Sequence, residues 1–577
     1  MPATASYSLT GNAYIDGVLG DTKWAVSNLT FSFPTDASYY GAGYGNGEPT
    51  DNFGALNSAQ QATAHSALAM VASIANLGFS KVTESSTQHG DIRFGMSDAP
   101  STAWAYLPST AAEGGDIWFN SSRGYYDSPV KGNYANATFL HELGHALGLE
   151  HTHEHYVMPA DRDSMEYSIM SYNSYVGATE AGYTNEKWGY AQSLMMYDIA
   201  ALQHMYGADY GTNSGNTTYK WSPTTGEMFV NGAGQGAPGG NRVFLTVWDG
   251  GGTDTYDFSN YTTALKVDLR PGQWTTTASI QLAKLHYDGS EIATGNIANA
   301  LLHNGDNRSV IENAKTGAAN DVVIGNGAAN TLLGNGGSDM LYGQGGEDHL
   351  YGQSGNDRLF GQGGNDTLLG GDGVDILNGG AGADILNGGA SFDYARYSDA
   401  PAGVTARIDK PTANSGHAAG DSYVSIEGLI GSKYSDILVG NGSSNRINGG
   451  AGADRLFGCS GSDTLIGGAG ADRLSGGLGS DIFDYRRVSD SLPNSRDVIE
   501  DFSPGVDKID LSGIDANSNA AGDQEFLFLG NKAFTGNAGE LNFANCLLSG
   551  DVNGDRIADF QVNVLNVSVL VESDILL

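Results

Sequence analysis

His141-Glu142-Leu143-Gly144-His145-Ala146-Leu147-Gly148-Leu149-Glu150-His151 sets the reading of this chain. Two histidines four apart share one face of a helix and can bind one metal from one side. Glu142 points to the neighbouring sector, within reach of a water on that metal. Gly148 can take positive φ at little cost, so the chain can leave the helix abruptly. The turn then swings His151 back as a third ligand. Three protein ligands leave a position open for water, which marks a catalytic zinc site rather than a structural one. One Zn2+ is therefore expected on His141, His145 and His151, with Glu142 as general base. A bare H-E-x-x-H would leave an ordinary surface helix in play. The added glycine and third histidine make that reading remote.

Around this motif the pattern alternates between strand and helix. Leu29-Thr30-Phe31-Ser32-Phe33 alternates and predicts a strand ending at Pro34. Residues 58–77 carry apolar side chains at helical spacing. Residues 91–94, 104–108 and 115–120 predict further strands. The histidine helix is expected over 135–149 and a last helix over 186–205. This order predicts an α+β domain, a mixed sheet with helices packed on it.

From residue 316 a nine-residue repeat takes over. Gly334-Asn335-Gly336-Gly337-Ser338-Asp339-Met340-Leu341-Tyr342 is followed by Gly343-Gln344-Gly345-Gly346-Glu347-Asp348-His349-Leu350-Tyr351. The aspartate recurs at Asp321, Asp339, Asp348, Asp357, Asp366, Asp375, Asp384 and Asp393, with Asn330 in the one gap. After an irregular stretch, 397–430, a second block carries Asp436, Asn445, Asp454, Asp463, Asp472 and Asp481. Glycines permit tight turns and expose carbonyl oxygens, and each aspartate adds a charged hard oxygen. Together they suit Ca2+, which takes six to eight oxygen ligands. The apolar residue two places on (Leu341, Leu350, Leu359, Leu368) is expected to face the interior of a calcium-binding parallel β-roll. Without calcium the stacked carboxylates repel, so the region is expected to unfold. Asn330 and Asn445 lack the charge, and weak or absent sites are expected there.

Bulk properties agree. A chain of 577 residues exceeds one core, and about three to four domains are expected. It holds 65 acidic against 28 basic residues, a net charge of −37, which argues against nucleic acid and anionic membranes as partners and suits a binder of many cations. Two cysteines, Cys459 and Cys546, give no disulfide framework. No cationic-then-apolar leader and no long apolar run is visible, so a membrane span is not expected and export must use another signal.

Further motifs carry a family resemblance. Ser168-Ile169-Met170-Ser171-Tyr172 resembles the Met-turn of metzincin proteases. That resemblance implies Met170 as a hydrophobic floor beneath the zinc and Tyr172 as a displaceable zinc ligand with a catalytic role. The 103–107 segment lies where metzincins place the edge strand that pairs with extended substrate. Zinc motif and repeat together resemble serralysin-type secreted RTX metalloproteases over nearly the whole chain. The resemblance implies an α+β metzincin protease domain followed by an all-β calcium-binding parallel β-roll (RTX) domain. Its boundaries would be 1–207 for the protease, 208–315 for a connecting β segment with calcium loops, 316–396 and 431–484 for two roll blocks around the 397–430 insert, and 485–577 for a C-terminal cap with a secretion signal.

The same resemblance implies a first calcium loop at Asp249, Gly251, Gly252 and Asp254, with further ligands at Asn213, Gly215, Thr217 and Glu312. In the roll the implied ligands are the recurring aspartates of both blocks, Asp436 through Asp472 in the second. Asp551-Val552-Asn553-Gly554-Asp555 with Asp559 looks like another calcium loop, though Val562 stands where an EF-hand needs glutamate. The acidic-then-apolar end Ser573-Asp574-Ile575-Leu576-Leu577 resembles a type I secretion signal. Expected partners are protein or peptide substrates, the type I secretion machinery and a proteinaceous inhibitor, with a monomeric enzyme acting outside the cell. One departure stands out: the family often has Pro-Gly soon after the third ligand, whereas Thr152-His153-Glu154-His155 follows here. His153 and His155 offer either competing ligands or a solvated loop. Two other readings are weighed. One is a calcium-dependent surface or adhesive protein with an inert protease module, which a disrupted zinc motif would favour. The other is an RTX lipase, which needs a G-x-S-x-G elbow that the N-terminal half lacks.

Overall fold

The computed structural model describes residues 1–178 and 182–577. The chain divides into two compact units, 1–318 with 322–324, and 319–321 with 325–577.

The first unit is built on a five-stranded sheet ordered Gly78–Lys81, Asn28–Ser32, Ile92–Ser97, Ile117–Asn120, Ala103–Ala105. The first four strands run parallel and the last is antiparallel at the edge. Every residue of Ile92–Ser97 and Ile117–Asn120 is buried, as central strands covered on both faces require. The edge strand is shorter than 104–108. Tyr106 still exchanges backbone hydrogen bonds with 115–116, and Pro108 has no N–H to continue a ladder.

Helix Ser58–Ile74 starts at a capping box between Asn57 and Gln60. Its buried residues Ala64, Ala67, Leu68, Val71 and Ile74 recur at helical spacing and join the core. Helix Tyr134–Ala146 packs nearby through Phe139, whose ring stacks on Phe119 at 4.1 Å. The last helix is Met196–Tyr206, which corrects the expected start at 186. Residues 186–192 give their N–H groups to other segments: Glu186 to the Lys284 carbonyl, Tyr190 to Gly132 and Gln192 to Phe244. Those pairings take the donors a helix would need. Past the helix, strands Thr218–Trp221, Thr255–Asp257 and Asn313–Lys315 form a parallel ladder.

The second unit is the roll. Strands eighteen residues apart pair in parallel, as in Leu341 with Leu359 and Leu350 with Leu368. Leu341, Leu350, Leu359, Leu368, Leu377 and Leu386 are all fully buried, so the expected interior line is present. The tight turns demand glycine: a Cβ on Gly364, at φ +140, would lie 1.5 Å from the Gly346 carbonyl oxygen. The 397–430 stretch does not interrupt the roll, which corrects its reading as an irregular insert. Its strands Ser422–Val424, Gly428–Ile430 and Thr405–Arg407 pair in parallel with roll strands on either side. The chain end joins too: Ile575–Leu576 pairs with Lys508–Asp510.

Candidate metal centres and peptidase site

The histidine helix presents His141 and His145 one turn apart, both buried. After Ala146 the chain turns back at Gly148, φ +103, and returns His151 to the same spot. His141 Nδ1 donates to the Ile169 carbonyl and His145 Nδ1 to the Leu149 carbonyl, both at 2.8 Å. A carbonyl only accepts, so Nδ1 carries the proton and Nε2 keeps its lone pair. Those lone pairs meet: His151 Nε2 lies 3.2 Å from His141 Nε2 and 3.0 Å from His145 Nε2. Burial pushes His141 down to about 4 and His145 well below its ordinary value, so both imidazoles are neutral. Zn–N bonds of about 2.0–2.1 Å in a tetrahedral site put nitrogens about 3.3–3.4 Å apart, so the cradle fits zinc.

Glu142 is buried, and its Oε2 has no hydrogen-bond partner in the protein. Desolvation raises its carboxyl to about 8. An unsatisfied buried carboxylate beside a metal cradle suits a group that handles a water proton. Met170 is fully buried, and a Cβ on Gly144 would meet its sulfur at 2.9 Å, so it lies directly against the histidine helix. The Tyr172 ring is 4.4 Å from the His151 ring and 5.8 Å from that of His141. Burial first, and then the Glu142 charge, push its phenol up to about 12, which keeps the proton on as a donor. His153 stacks near His151 at 5.4 Å between centroids, and His155 pairs with Asp21 at 2.7 Å. A pocket of about 50 Å³ opens beside Glu142, lined by Ala103, Tyr134, Thr138, His141, Tyr172 and Tyr183. Tyr134 and Tyr183 were not read from the sequence, because nothing in their local pattern separates a pocket wall from core.

Gly148 gives a direct test of this turn. A Cβ there would sit 2.4 Å from the Thr22 carbonyl oxygen at a φ that L-residues avoid. Gly148→Ala is expected to cost at least about 1–2 kcal/mol from backbone strain alone and to lower zinc content with it. Thermal unfolding and metal analysis check both.

Asp249, Asp254 and Glu312 come together with the 213–217 loop. Asp254 Oδ1 accepts the Thr217 N–H at 2.8 Å, Glu312 Oε2 accepts the Asp254 N–H at 2.7 Å, and Asp249 Oδ1 accepts the Gly251 N–H at 2.7 Å. Thr217 Oγ1 donates to the Gly215 carbonyl at 2.8 Å and to the Asn213 carbonyl at 3.1 Å. A Cβ on Gly252 would lie 2.6 Å from the Gly215 oxygen. Burial raises Asp249 to about 8 and Glu312 to about 7, and Asp254 Oδ2 is buried without a partner. Three buried carboxyls converging without a cation are mutually unfavourable, and a calcium ion removes the conflict.

In the roll each aspartate divides its two oxygens. Oδ1 accepts the N–H of the residue eighteen earlier: Asp348 from Asn330, Asp357 from Asp339, Asp454 from Asp436, at 2.7–2.8 Å. The same ladder runs through Asp321, Asp366, Asp375, Asp384, Asp393, Asp463, Asp472 and Asp481. Oδ2 of Asp339 through Asp393, and of Asp454 through Asp481, is buried and has no protein partner. Asp348 Oδ2 and the Gly361 carbonyl both crowd the space a Cβ on Gly343 would fill, at 2.2 and 2.9 Å. Carboxylate and carbonyl oxygens facing one small space fit calcium.

Three expected positions behave differently. Asp436 differs from the other aspartates: its Oδ2 accepts the Ser432 N–H at 2.6 Å, and its Oδ1 accepts Ser432 Oγ and the Val404 N–H. Both oxygens are occupied by the protein. Asn330 and Asn445 point an amide N–H to Asn326 Oδ1 and the Glu427 carbonyl, putting a donor where their neighbours offer an acceptor. The ladder also recruits residues the nonapeptide missed. Asp421, Glu427, Asp497 and Asp507 accept the N–H groups of Asp384, Asp393, Asp472 and Asp481. Each keeps an acidic residue two places before an apolar or aromatic one, which is the signal that could have found them, while the full glycine pattern of the repeat is broken before all four.

A five-stranded sheet with a three-histidine cradle, and a roll of aspartate-bearing turns, define a zinc-peptidase-like domain joined to a calcium-binding β-roll. Comparison with known proteins agrees. The matrixin family model matches residues 50–164, the RTX calcium-binding nonapeptide repeat matches several windows within 315–395, and the Peptidase M10 serralysin C-terminal model matches 416–577. The metallopeptidase AprA of Pseudomonas marginalis is 31% identical over 318 residues, covering 52% of this chain and 61% of that protein. Serralysin of Photorhabdus sp. (strain Az29) is 31% identical, covering 56% and 62%, and serralysin A of Dickeya chrysanthemi is 33% identical, covering 52% and 58%. The chain thus spans about three fifths of the length of the relatives it matches. Among solved structures, the AlgE6R3 subunit of the Azotobacter vinelandii mannuronan C5-epimerase matches at 28% identity and TM-score 0.18, covering 25% of this chain and 78% of that one. In these matched segments the chain is similar to serralysin-type RTX metalloproteases. The cofactors of that architecture are zinc in the peptidase module and calcium in the repeats. Among the described residues no helix is long and apolar enough to cross a membrane.

Proposed function

We propose that this protein is a secreted, calcium-stabilised zinc endopeptidase that hydrolyses peptide bonds in proteins. The observation that carries the reading is the convergence of three imidazole Nε2 atoms beside the partnerless carboxylate of Glu142. His141, His145 and His151 hold the zinc. When bound, zinc supplies Lewis acidity, polarising the scissile carbonyl and lowering the pKa of a water. Glu142 takes the water proton as the water oxygen bonds to the carbonyl carbon, then delivers it to the amine nitrogen as the C–N bond breaks. Tyr172 donates a hydrogen bond to the oxygen that gains charge. Ala103–Ala105, at the sheet edge, pairs with an extended peptide, and the adjoining pocket takes one side chain. Asp249, Asp254, Glu312 and the roll aspartates with free Oδ2 atoms hold calcium and act on stability rather than chemistry. Type I secretion machinery reading the 573–577 end, action as an extracellular monomer and control by a proteinaceous inhibitor complete the proposal.

The test is casein hydrolysis in millimolar calcium. Activity is expected from the zinc-loaded protein, loss on treatment with a zinc-selective chelator, and recovery on adding zinc back. Equal hydrolysis by the zinc-free protein would end the reading.

A further inference from the structure

The Met-turn is pinned at both ends by carboxylates. At its entry, Asp198 is fully buried and accepts Ser168 Oγ at 2.5 Å and the Ile169 N–H at 2.9 Å. That fixes the residue whose carbonyl orients His141. At its exit, Asp163 Oδ1 accepts Ser171 Oγ at 2.6 Å, and Oδ2 accepts Asn173 Nδ2 at 2.9 Å. Ser171 and Asn173 flank Tyr172. Asp163 reaches one place further: its Oδ1 also accepts Thr152 Oγ1 at 2.5 Å. Thr152 is buried, follows His151 directly, and through its carbonyl takes the Met158 N–H at 2.8 Å.

We propose that Asp163 is a positioning residue that clamps the third-ligand loop to the Met-turn through Thr152 and Ser171, holding His151 and Tyr172 in register with each other. The inference rests on the zinc-site reading above. His141 and His145 sit on a continuous helix and have their Nδ1 atoms anchored to backbone carbonyls. His151 lacks a backbone anchor of this kind: it lies beyond the glycine turn, and its Nδ1 faces the half-exposed Glu154 carboxylate at 3.1 Å in an ion pair without hydrogen-bond alignment. A loop ligand with a weakly held second nitrogen needs its restraint from the backbone, and the next residue supplies it. Charge-assisted hydrogen bonds from two hydroxyls and an amide onto one carboxylate make a short, directional clamp. A proline at 152 would stiffen the loop without a hydroxyl. Here a threonine reaches the same end by a side-chain contact.

The experiment uses the full chain in calcium, with zinc affinity read by competition against a chromophoric chelator, and kcat and KM read on a peptide substrate. Thr152→Val removes the hydroxyl at nearly constant shape. It is expected to weaken zinc binding by about 10-fold or more, the scale of lost outer-shell support, and to lower kcat more than it raises KM. Thr152→Ser, which keeps the hydroxyl, is expected to restore tight zinc. Asp163→Asn is expected to weaken zinc further, because it also releases the Met-turn. Circular dichroism confirms that each variant folds, and the valine variant remains decisive if the asparagine one does not. Zinc affinity of Thr152→Val within about twofold of the parent would overturn the clamp, as would equal loss in the serine variant. A parent that binds zinc but does not cleave peptide would count against the peptidase reading alone, since the affinity comparison still decides the clamp.

Discussion

Zinc-loaded Glu142→Ala is expected to keep its metal and lose about 10²–10⁴-fold in kcat with little change in KM. His141 and His145 are oriented by their own anchors at Ile169 and Leu149, and Glu142 contacts none of the three imidazoles by a hydrogen bond. Removing it therefore leaves the cradle intact and takes away only the group that moves the proton. A second consequence separates this residue from a structural one. Glu142 is buried, partnerless and raised to about 8, so its charged form opposes folding. A group with a folded pKa above its unfolded value stabilises the fold only at low pH, and that contribution is lost as pH rises through about 8. The metal-free alanine variant should thus unfold at no lower temperature than the metal-free parent above neutral pH. A mutant with high activity at full zinc occupancy, or one that loses zinc along with activity, would remove Glu142 from the role of base.

How far the sequence reached depended on whether a residue's partner was local. The zinc motif was legible because all of its parts lie within eleven residues and each has a fixed geometric task. The roll was legible because one period dictates both the buried leucine and the carboxylate. The Met-turn was recognisable, but the two carboxylates that hold it were not. Asp163 and Asp198 act across gaps of 8 and 30 residues, and neither sits in a repeating pattern. The start of the last helix was misread because 186–192 has helical composition while its N–H groups are claimed by Lys284, Gly132 and Phe244. Tertiary pairing overrode local propensity there. The 397–430 stretch lost the glycines that advertise the repeat but kept the acid-x-apolar step that builds the ladder. Spacing alone could not show that the sheets pass through it.

That stretch shapes what calcium removal should do. In chelator at pH 8 the roll turns with free Oδ2 atoms are expected to unfold. Burial holds Asp339, Asp348, Asp375 and Asp384 at about 7 and Asp454 at about 8 in the metal-free fold, so above those values the fold must carry buried charges that the unfolded chain gives to water. The sign follows: these raised carboxyls favour the metal-free fold below the unfolded aspartate value of about 3.9, and the advantage disappears as pH rises toward 7 to 8. Metal-free roll should therefore gain stability as pH falls from 8 toward about 4 and be least folded at pH 8, the opposite of the calcium-bound form, whose ligands must be ionised. The centre should respond differently. Asp421 accepts the Tyr397 hydroxyl on Oδ2 and the Asp384 N–H on Oδ1, and Asp436 fills both oxygens from Ser432 and Val404. Its strands also pair among themselves, 394–396 with 428–430 and 405–407 with 437–439. Asp421 and Asp436 already receive hydrogen bonds on both oxygens, so calcium has less to relieve there than in the turns whose Oδ2 has no protein partner. Hydrogen exchange at pH 8 should show protection in the turns at 343–393 and 452–481 falling by about 10²-fold or more on chelation, while 394–439 opens later and at higher chelator. Uniform loss across all three regions would mean that calcium stabilises the roll as one body and that the central hydrogen bonds carry no independent stability.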